Sequence, residues 1–565
     1  MKLLAFFVPF LILGTPCFSQ NFHLKLIGNS AAERKVLDSL PYNSVHFNAK
    51  GIADEVNNMS ERLSKIGYIE NRILENSKEN DSSYVAKFSL GEKINSIHIY
   101  IGRNPDLIDL ISLDKTKDSI IVPYGEIESF LNQNLQKLEQ KGFAMAKLKL
   151  TTIQKKKNSL YAALQFDSGQ ERKLNSIVVK FAEGSKKSSF PEGHLKQINR
   201  KYRGIPFNKD VVRKIHDDFE KYRFVSQKKY PEILFTNDST EVYVYLEKRK
   251  SNNFDGFIGF SNTNNNKLVF NGYLDLTLEN ALKAGEQLAL NWRSDGNNQK
   301  TFKAGIDLPY LFKSPIGMKA QIHIFKQDSN FQNTKTAIDL GYFVKYNTRI
   351  YLGYQSTESS DIQNTNNSTI SDYKNSFLTS NLEYTKLDSE NLTFPKKTSL
   401  SLTLGIGKRT TNGLNETLGT NKQTYININA MHNFYLNKKN CININYQNYF
   451  LKSDSYIINE LYRFGGINSI RGFAENSLQA SFMTALMTEY RYLVSRELFI
   501  HTIMDYGYYQ DDSSSKKDNI LGLGLGIGLQ TKNGLLKISL ANGSTNAQSI
   551  KFGSTIVHLC YTVVF

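Results

Sequence analysis

The part of the chain after about position 251 alternates between apolar and polar residues in a long series of short segments. Leu400 and Leu402 alternate with Ser401 and Thr403, and turn-forming residues separate one segment from the next. This period of two is typical of a transmembrane β-barrel, whose strands turn apolar side chains to lipid and polar ones to the lumen. Counting the segments predicts an all-β transmembrane barrel of sixteen antiparallel strands at residues 251–565.

The part before the barrel repeats one pattern three times. Each copy begins with a strand of period two, as at Ile97 and Ile99, and continues with helices and two more strands. In the first copy Ile52, Val56 and Met59 recur at steps of four and three, which places them on one face of a helix. We therefore predict three α+β repeats with the element order β-α-α-β-β. The repeats are predicted at residues 21–92, 93–170 and 171–250.

The beginning of the chain has the features of a secretory signal. Lys2 precedes an apolar run, Leu3–Leu13, and the small and polar residues that follow favour cleavage near Ser19 or Gln20. The run is too short to cross a membrane as a helix. We therefore predict a signal peptide at residues 1–20 and an exported protein, for which nucleic acid is not a partner.

The charge of the chain is basic and unevenly distributed. The formal net charge is +17, and residues 171–250 alone contain 19 Lys and Arg against 11 Asp and Glu. An excess of cations directly before the barrel favours contact with anionic lipid headgroups of the periplasmic leaflet. Solvated lysine-rich faces are the alternative explanation, and the sequence leaves both open.

The sequence offers little for enzymatic chemistry. The chain has nine His residues and contains no Gly-x-Ser-x-Gly, His-Glu-x-x-His or phosphate-binding glycine loop. Cys441 and Cys560 lie several predicted strands apart, which argues against a disulfide or a metal site. We therefore predict no catalytic residue, no cofactor and no metal, and the protein is not expected to be an enzyme.

One short motif separates the eleventh predicted strand from the twelfth. It consists of Ile470, Arg471, Gly472 and Phe473. At this strand count, and behind repeated units, the motif resembles that of the BamA/TamA outer-membrane insertase superfamily, also called the bacterial surface antigen family. The N-terminal repeats resemble the polypeptide-transport-associated (POTRA) domains of that family. Three such repeats are closest in layout to TamA-like members.

The resemblance implies that the loop carrying the motif folds back into the lumen and that its arginine pairs with carboxylates of the wall. The alternation of the twelfth and thirteenth strands turns Glu489 and Asp505 inward. Glycines at every second position of the next strand, beginning at Gly522, leave room for a loop. We therefore predict that Arg471 pairs with Asp505 and Glu489.

The resemblance also implies a lateral seam between the first and last strands, Phe254–Ser261 and Thr555–Phe565. The first strand contains glycines, which weaken strand pairing. On this basis the protein is expected to be an assembly factor of a Gram-negative outer membrane. It would receive unfolded β-barrel clients on its periplasmic POTRA domains and insert them at the seam, in contact with outer-membrane lipids. Accessory proteins of the periplasm or inner membrane are a further class of partner. The predicted seam residues are Gly256, Phe257, Gly259, Leu559, Tyr561 and Phe565.

A transporter of the two-partner secretion type is the alternative within the same superfamily. Such a transporter passes one protein through the lumen, and it usually has two POTRA units behind an N-terminal plug helix. The three repeats and the strand that begins at Phe22 favour the insertase. A plain porin is disfavoured because it has no use for the periplasmic repeats.

Overall fold

The structure is a computed structural model. It describes residues 21–565 except 103–117, 182–189, 238, 263–267, 295–298, 329, 364–369, 389–390, 392, 413–417, 533, 552 and 554. The predicted signal peptide at residues 1–20 therefore lies outside the described residues. No helix in the described part of the chain has the length and apolar character needed to cross a membrane.

The first of two compact units comprises residues 21–173 with 205–209 and contains two four-stranded sheets. Its strands are β1 (Phe22–Gly28), β2 (Val45–His46), β3 (Arg72–Asn80), β4 (Ser83–Ser89), β5 (Ser96–Tyr100), β6 (Ser119–Pro123), β7 (Lys147–Lys156) and β8 (Ser159–Asp167). Its helices are α1 (Ala31–Asp38), α2 (Ala49–Lys65) and α3 (Ile127–Gln140). The strand orders are β2-β1-β4-β3 and β6-β5-β8-β7, so both sheets have the same topology.

The predicted helix face of the first repeat packs on the sheet and forms part of the core of the repeat. Ile52, Val56, Met59 and Leu63 of α2 are almost fully buried against β1 and β4. Burying each such side chain contributes roughly 1.5–3 kcal/mol. The helix ends before Gly67, whose φ of 113° suits a residue without a side chain.

Strands β2 and β6 are additions to the predicted β-α-α-β-β order. Strand β2 has two residues, which is too short for any alternation to be detected. Strand β6 contains three successive apolar residues, Ile120, Ile121 and Val122, and so lacks a period of two. Both strands pair antiparallel with the first strand of their sheet.

The second unit, residues 174–204 with 210–565, contains the third sheet and the barrel. The sheet is formed by β9 (Ser176–Phe181), β10 (Val225–Gln227), β11 (Glu232–Phe235) and β12 (Thr240–Lys248). The helices are α4 (Glu192–Tyr202) and α5 (Lys209–Phe219). Lys209, the first residue of α5, belongs to the first unit. Strand β12 pairs parallel with β9 and antiparallel with β10 and β11.

Sixteen antiparallel strands form a closed barrel, which confirms the predicted fold class. They are β13 (Asn253–Asn262), β14 (Leu268–Glu279), β15 (Gln287–Ser294), β16 (Gln299–Leu308), β17 (Ile316–Gln327), β18 (Phe331–Lys345), β19 (Thr348–Asp361), β20 (Tyr373–Leu387), β21 (Lys396–Asn412), β22 (Leu418–Tyr435), β23 (Asn440–Lys452), β26 (Phe482–Leu493), β27 (Leu498–Asp511), β28 (Lys516–Thr531), β29 (Gly534–Thr545) and β30 (Ile556–Val564). A separate hairpin, β24 (Tyr462–Phe464) with β25 (Leu478–Ala480), lies between β23 and β26.

The alternation in sequence becomes the two faces of the barrel wall. In β18, Ile338 and Leu340 are exposed on the outside, whereas Asp339 between them is buried in the lumen. There the Asp339 carboxylate accepts a hydrogen bond from the Asn381 side chain at 2.7 Å. An apolar exterior and a hydrogen-bonded polar interior are what a bilayer requires of a barrel.

Candidate functional site

The loop of residues 453–481 joins β23 to β26 and is here called the lumenal loop. Its two limbs pair through the hairpin β24–β25. Phe464 and Ile470 of the loop are buried and pack with Met483 and Ile520 of the barrel wall. The apolar side of the loop therefore fixes it against β26 and β28 and places residues 470–473 at the wall.

Arg471 is buried in this wall together with two carboxylates. The exposed fractions are 5% for Arg471, 4% for Glu489 and 0% for Asp505. Asp505 accepts hydrogen bonds from Arg471 at its backbone N (2.9 Å), Nε (2.8 Å) and Nη2 (2.5 Å). Arg471 Nη1 donates to Glu489. The structure thus brings the three residues together, with Asp505 binding both the guanidinium and the backbone of the loop.

Two further cations of the barrel wall bind Glu489. Glu489 accepts hydrogen bonds from Arg491 Nε at 2.7 Å and from Lys537 Nζ at 2.9 Å. Neither Arg491 nor Lys537 was among the predicted site residues. Both stand at inward positions of strands in which apolar and polar residues alternate, so the period of two could have indicated them. Because three cations share two carboxylates, Glu489 keeps partners on the wall when the loop is absent.

Glycines let the loop backbone approach the wall. Gly472 has a φ of 87°, a conformation that L side chains rarely adopt. A methyl group at Gly522 of β28 would collide with the carbonyl oxygen of Arg471. Two later glycines of β28, Gly526 and Gly528, instead leave space for the side chains of His501 and Phe499 on β27. Of the predicted glycine stripe, Gly522 is therefore the position that accommodates the loop backbone.

Two additional ion pairs hold the limbs of the lumenal loop. Arg409 of β21 binds Glu460, and both side chains are almost completely buried. On the other limb, Glu475 is 2.5 Å from the guanidinium of Arg293 in β15. The loop is thus attached to three separate regions of the wall. Sequence alone could not identify these pairs, because their partners lie far apart along the chain.

Among the described residues, the seam between β13 and β30 has the shortest ladder of the barrel. Its register consists of three residue pairs, Asn253 with Val564, Phe254 with Val563 and Asp255 with Thr562. The next shortest ladders, such as that between β29 and β30, have eight pairs. Beyond Asp255, strand β13 pairs with β14 alone, and below Thr562, strand β30 pairs with β29 alone.

This register determines where the predicted seam residues lie. Gly256, Phe257 and Gly259 have ladder partners on β14, and Leu559 and Tyr561 have them on β29. These five residues therefore lie on the parts of the two strands that separate. Phe565 is at the closed end, where it exchanges backbone hydrogen bonds of 2.9 and 3.2 Å with Asn252.

Asp255 joins the two strands at the point where the ladder ends. Its carboxylate, which faces the lumen, accepts hydrogen bonds from Thr562 Oγ1 at 3.0 Å and from Cys560 Sγ at 2.8 Å. It also accepts one from the Tyr273 hydroxyl of β14 at 2.8 Å. Asp255 was not among the predicted seam residues, although it stands at an inward position of the first strand.

The described residues contain no group of three or more His, Cys, Asp or Glu side chains that could hold a metal ion. The two cysteines of the described chain, Cys441 and Cys560, are free thiols.

Both the barrel sequence and the fold are similar to known proteins. Residues 280–554 match the family model of the Omp85 superfamily domain. The chain is similar to CdiB from Escherichia coli, with 12% identity, a TM-score of 0.50, and 92% of this chain and 99% of that chain covered. For CdiB from Acinetobacter baumannii the values are 12%, 0.51, 84% and 90%. BamA from Haemophilus ducreyi lacking POTRA domains 1–3 gives 16%, 0.47, 83% and 99%.

At these identities the likeness to solved structures concerns the fold. No curated protein sequence matches the chain. The family model, the closed barrel of sixteen strands and the POTRA-like sheets nevertheless agree with one another. Residues 280–554 therefore form an Omp85 superfamily domain, which places the barrel in the outer membrane of a Gram-negative bacterium and the POTRA-like domains in the periplasm.

Proposed function

We propose that this protein inserts unfolded β-barrel proteins into the outer membrane by opening its barrel at the seam between β13 and β30. The observation that carries the proposal is the three-pair ladder of this seam. Opening it breaks fewer backbone hydrogen bonds than opening any other junction of the wall. The protein acts without enzymatic chemistry, because insertion needs a pairing surface rather than a reaction.

The edges beside the seam provide that pairing surface. Residues 256–262 of β13 and 556–561 of β30 have ladder partners on one side only. A client strand that pairs with such an edge satisfies its backbone amides, which would otherwise cost several kcal/mol per group in hydrocarbon. The client hairpins can then enter the bilayer sideways without crossing lipid as bare backbone.

The periplasmic repeats at residues 21–92, 93–170 and 171–250 are proposed to receive clients before insertion. Strands β3 and β7 stand at the edges of their sheets and are mostly exposed. An exposed edge accepts an extended peptide by β-augmentation. Register shifts in both strands interrupt the edge, which limits permanent pairing with other chains.

A disulfide across the seam tests the proposal. Asn252 and Phe565 exchange two backbone hydrogen bonds, so the next pair in the register, Asn253 and Val564, is a non-hydrogen-bonded pair, the type in which the Cα atoms are closer. In a Cys441→Ser, Cys560→Ser background, Asn253→Cys with Val564→Cys should crosslink. We expect the oxidised protein to lose client insertion in proteoliposomes and a reductant to restore it.

The matched control joins the same strand to its other neighbour. Phe254→Cys with Leu276→Cys links β13 to β14 and leaves the seam free. We expect this crosslinked control to keep its activity. If the crosslinked seam variant inserts clients as fast as its reduced form, lateral opening is wrong.

Depletion of the protein separates the proposed role from the two-partner alternative. An insertase predicts a broad loss of β-barrels from the outer-membrane proteome. Loss of a single secreted protein, with the other barrels unchanged, would instead identify a dedicated transporter.

A further inference from the structure

A cavity of about 450 Å³ lies at the periplasmic end of the seam. It is lined by Asn252 and Phe565, the two residues whose backbone hydrogen bonds close the seam. Strand β13 begins at the next residue, Asn253, so the cavity adjoins the first residue of the barrel wall. Because a barrel wall begins near the membrane surface, we expect headgroups of the periplasmic leaflet at this level.

The cavity is lined by both aromatic and cationic residues. Phe181 and Phe224 of the third sheet region are among the apolar ones. Four cations, here called the basic rim, also line the cavity: Lys248, Arg249, Lys250 and Lys283. Apolar residues beside clustered cations match the boundary between a lipid headgroup and its acyl chains.

The four cations of the rim have no ion-pair partner among the described residues. One buried carboxylate, Glu279, also lines the cavity, but it is bound to Arg223 at 3.2 Å and to the Gln287 amide at 3.0 Å. Its charge is therefore neutralised by Arg223. The rim keeps a local excess of positive charge that an anionic group can balance.

The turn that carries Lys283 is held in a fixed conformation. The buried carboxylate of Glu286 accepts hydrogen bonds from the backbone N of Leu282 at 2.5 Å and of Ala284 at 3.0 Å. The Asn280 side chain accepts a further bond from the Gly285 backbone N at 2.8 Å. Lys283 therefore belongs to an ordered rim, and exposed Leu282 beside it offers apolar surface to acyl chains.

We propose that this cavity binds the phosphate group of a phospholipid from the periplasmic leaflet. The basic rim holds the phosphate, and the acyl chains leave along the apolar outside of the barrel. A bound lipid would thereby occupy the periplasmic end of the seam. This inference does not depend on whether the protein is an insertase or a transporter.

Lipid binding by the full-length protein in detergent tests the proposal. Native mass spectrometry would follow titration with short-chain phosphatidylglycerol and with a diacylglycerol of the same acyl chains. We expect phosphatidylglycerol to bind and the diacylglycerol, which lacks the phosphate, to bind at least about tenfold more weakly. A photoreactive phosphatidylglycerol should crosslink to residues 248–252 or 280–286.

Two sets of variants separate this site from general charge. Substituting Ala for Lys248, Arg249, Lys250 and Lys283 should weaken phosphatidylglycerol binding at least about tenfold. Substituting Ala for Lys196, Arg200, Arg203 and Lys214 removes the same charge from exposed positions of the third repeat and should leave binding unchanged. If the rim variant does not fold, Arg at the three rim lysines retains the charge and should bind as the wild type does.

The contrary outcomes identify other occupants. Equal binding of the diacylglycerol, or equal loss in both Ala variants, would overturn the proposal. Displacement of the lipid by inorganic phosphate alone at similar concentration would point to a free-phosphate site. A peptide of residues 556–565 that binds more tightly than the lipid, and only with a free carboxylate, would assign the cavity to client chain ends.

Discussion

The Asp255 carboxylate accepts a hydrogen bond from Thr562 Oγ1, 3.0 Å away on the opposite side of the seam. The same carboxylate accepts the Cys560 thiol at 2.8 Å. These bonds lie where the three-pair ladder ends and the two strands separate. Asp255 therefore adds side-chain hydrogen bonds at the place where the backbone provides the fewest.

Asp255→Ala should loosen the seam, because Thr562 and Cys560 both lose their acceptor. Each lost hydrogen bond is worth about 1 kcal/mol, so we expect maleimide to label Cys560 at least about fivefold faster in a Cys441→Ser background. The control is Asp275→Ala, since Asp275 is bound by Asn291 within the wall. Equal labelling rates for Asp255→Ala and the unsubstituted seam would refute this role.

Arg471→Ala should impair client insertion while the barrel still assembles. Removing the guanidinium deprives Asp505 of its side-chain donors at a cost of about 1–3 kcal/mol. Glu489 retains Arg491 and Lys537. Arg471→Lys should restore little, because an ammonium cannot bind a carboxylate bidentately. Insertion assays and the thermal unfolding of the barrel measure both effects.

The control for this prediction is Arg491→Ala, which removes a donor of Glu489 from the wall and leaves the loop contacts intact. If the lumenal loop is the functional element, Arg471→Ala slows insertion more than Arg491→Ala at comparable barrel stability. Wild-type activity of Arg471→Ala would remove the motif from the mechanism.

Acid should weaken the contact between the third repeat and the barrel through His194. His194 is fully buried, its ring contacts Tyr310 and Tyr346, and neither ring nitrogen has a hydrogen-bond partner among the described residues. Burial, together with the charge of Arg349, lowers the pKa of His194 to about 3. In the unfolded chain the pKa of a histidine is about 6.5. The folded state therefore takes up the proton less readily than the unfolded state, and its stability falls as the pH decreases below about 6.5.

Between pH 7 and pH 5 the expected loss is about 2 kcal/mol, measured as unfolding of the third repeat by hydrogen exchange. His194→Phe fills similar space and cannot be protonated, so it should remove this acid sensitivity. The same pH dependence in His194→Phe would assign the effect to another group.

Deleting residues 171–250 should damage function more than deleting residues 22–92. The third repeat contacts the barrel directly, through Glu192 with Lys313 and Arg223 with Glu279. It also lies beside the periplasmic end of the seam, where clients are proposed to enter. Growth and outer-membrane assembly of the two deletion strains provide the measurement. Equal tolerance of both deletions would contradict a role of the third repeat in passing clients to the seam.

The sequence by itself determined the strand number, the repeats and the inward residues of the wall. A period of two survives in the sequence because every second side chain of a barrel strand meets lipid. For this reason the inward orientation of Asp505 and Glu489 and the number of strands could be predicted from the sequence alone. The motif at residues 470–473 then indicated the family.

Only the tertiary structure decided which side chains meet. The pairing of Arg409 with Glu460 joins residues 51 positions apart, and Asp255 meets Cys560 over 305 positions. The register of the seam was equally inaccessible, because alternation fixes the face of each residue but not its partner on the next strand. Closing the barrel brings the first and last strands together, and that closure placed Asp255, Cys560 and the cationic cavity at one seam.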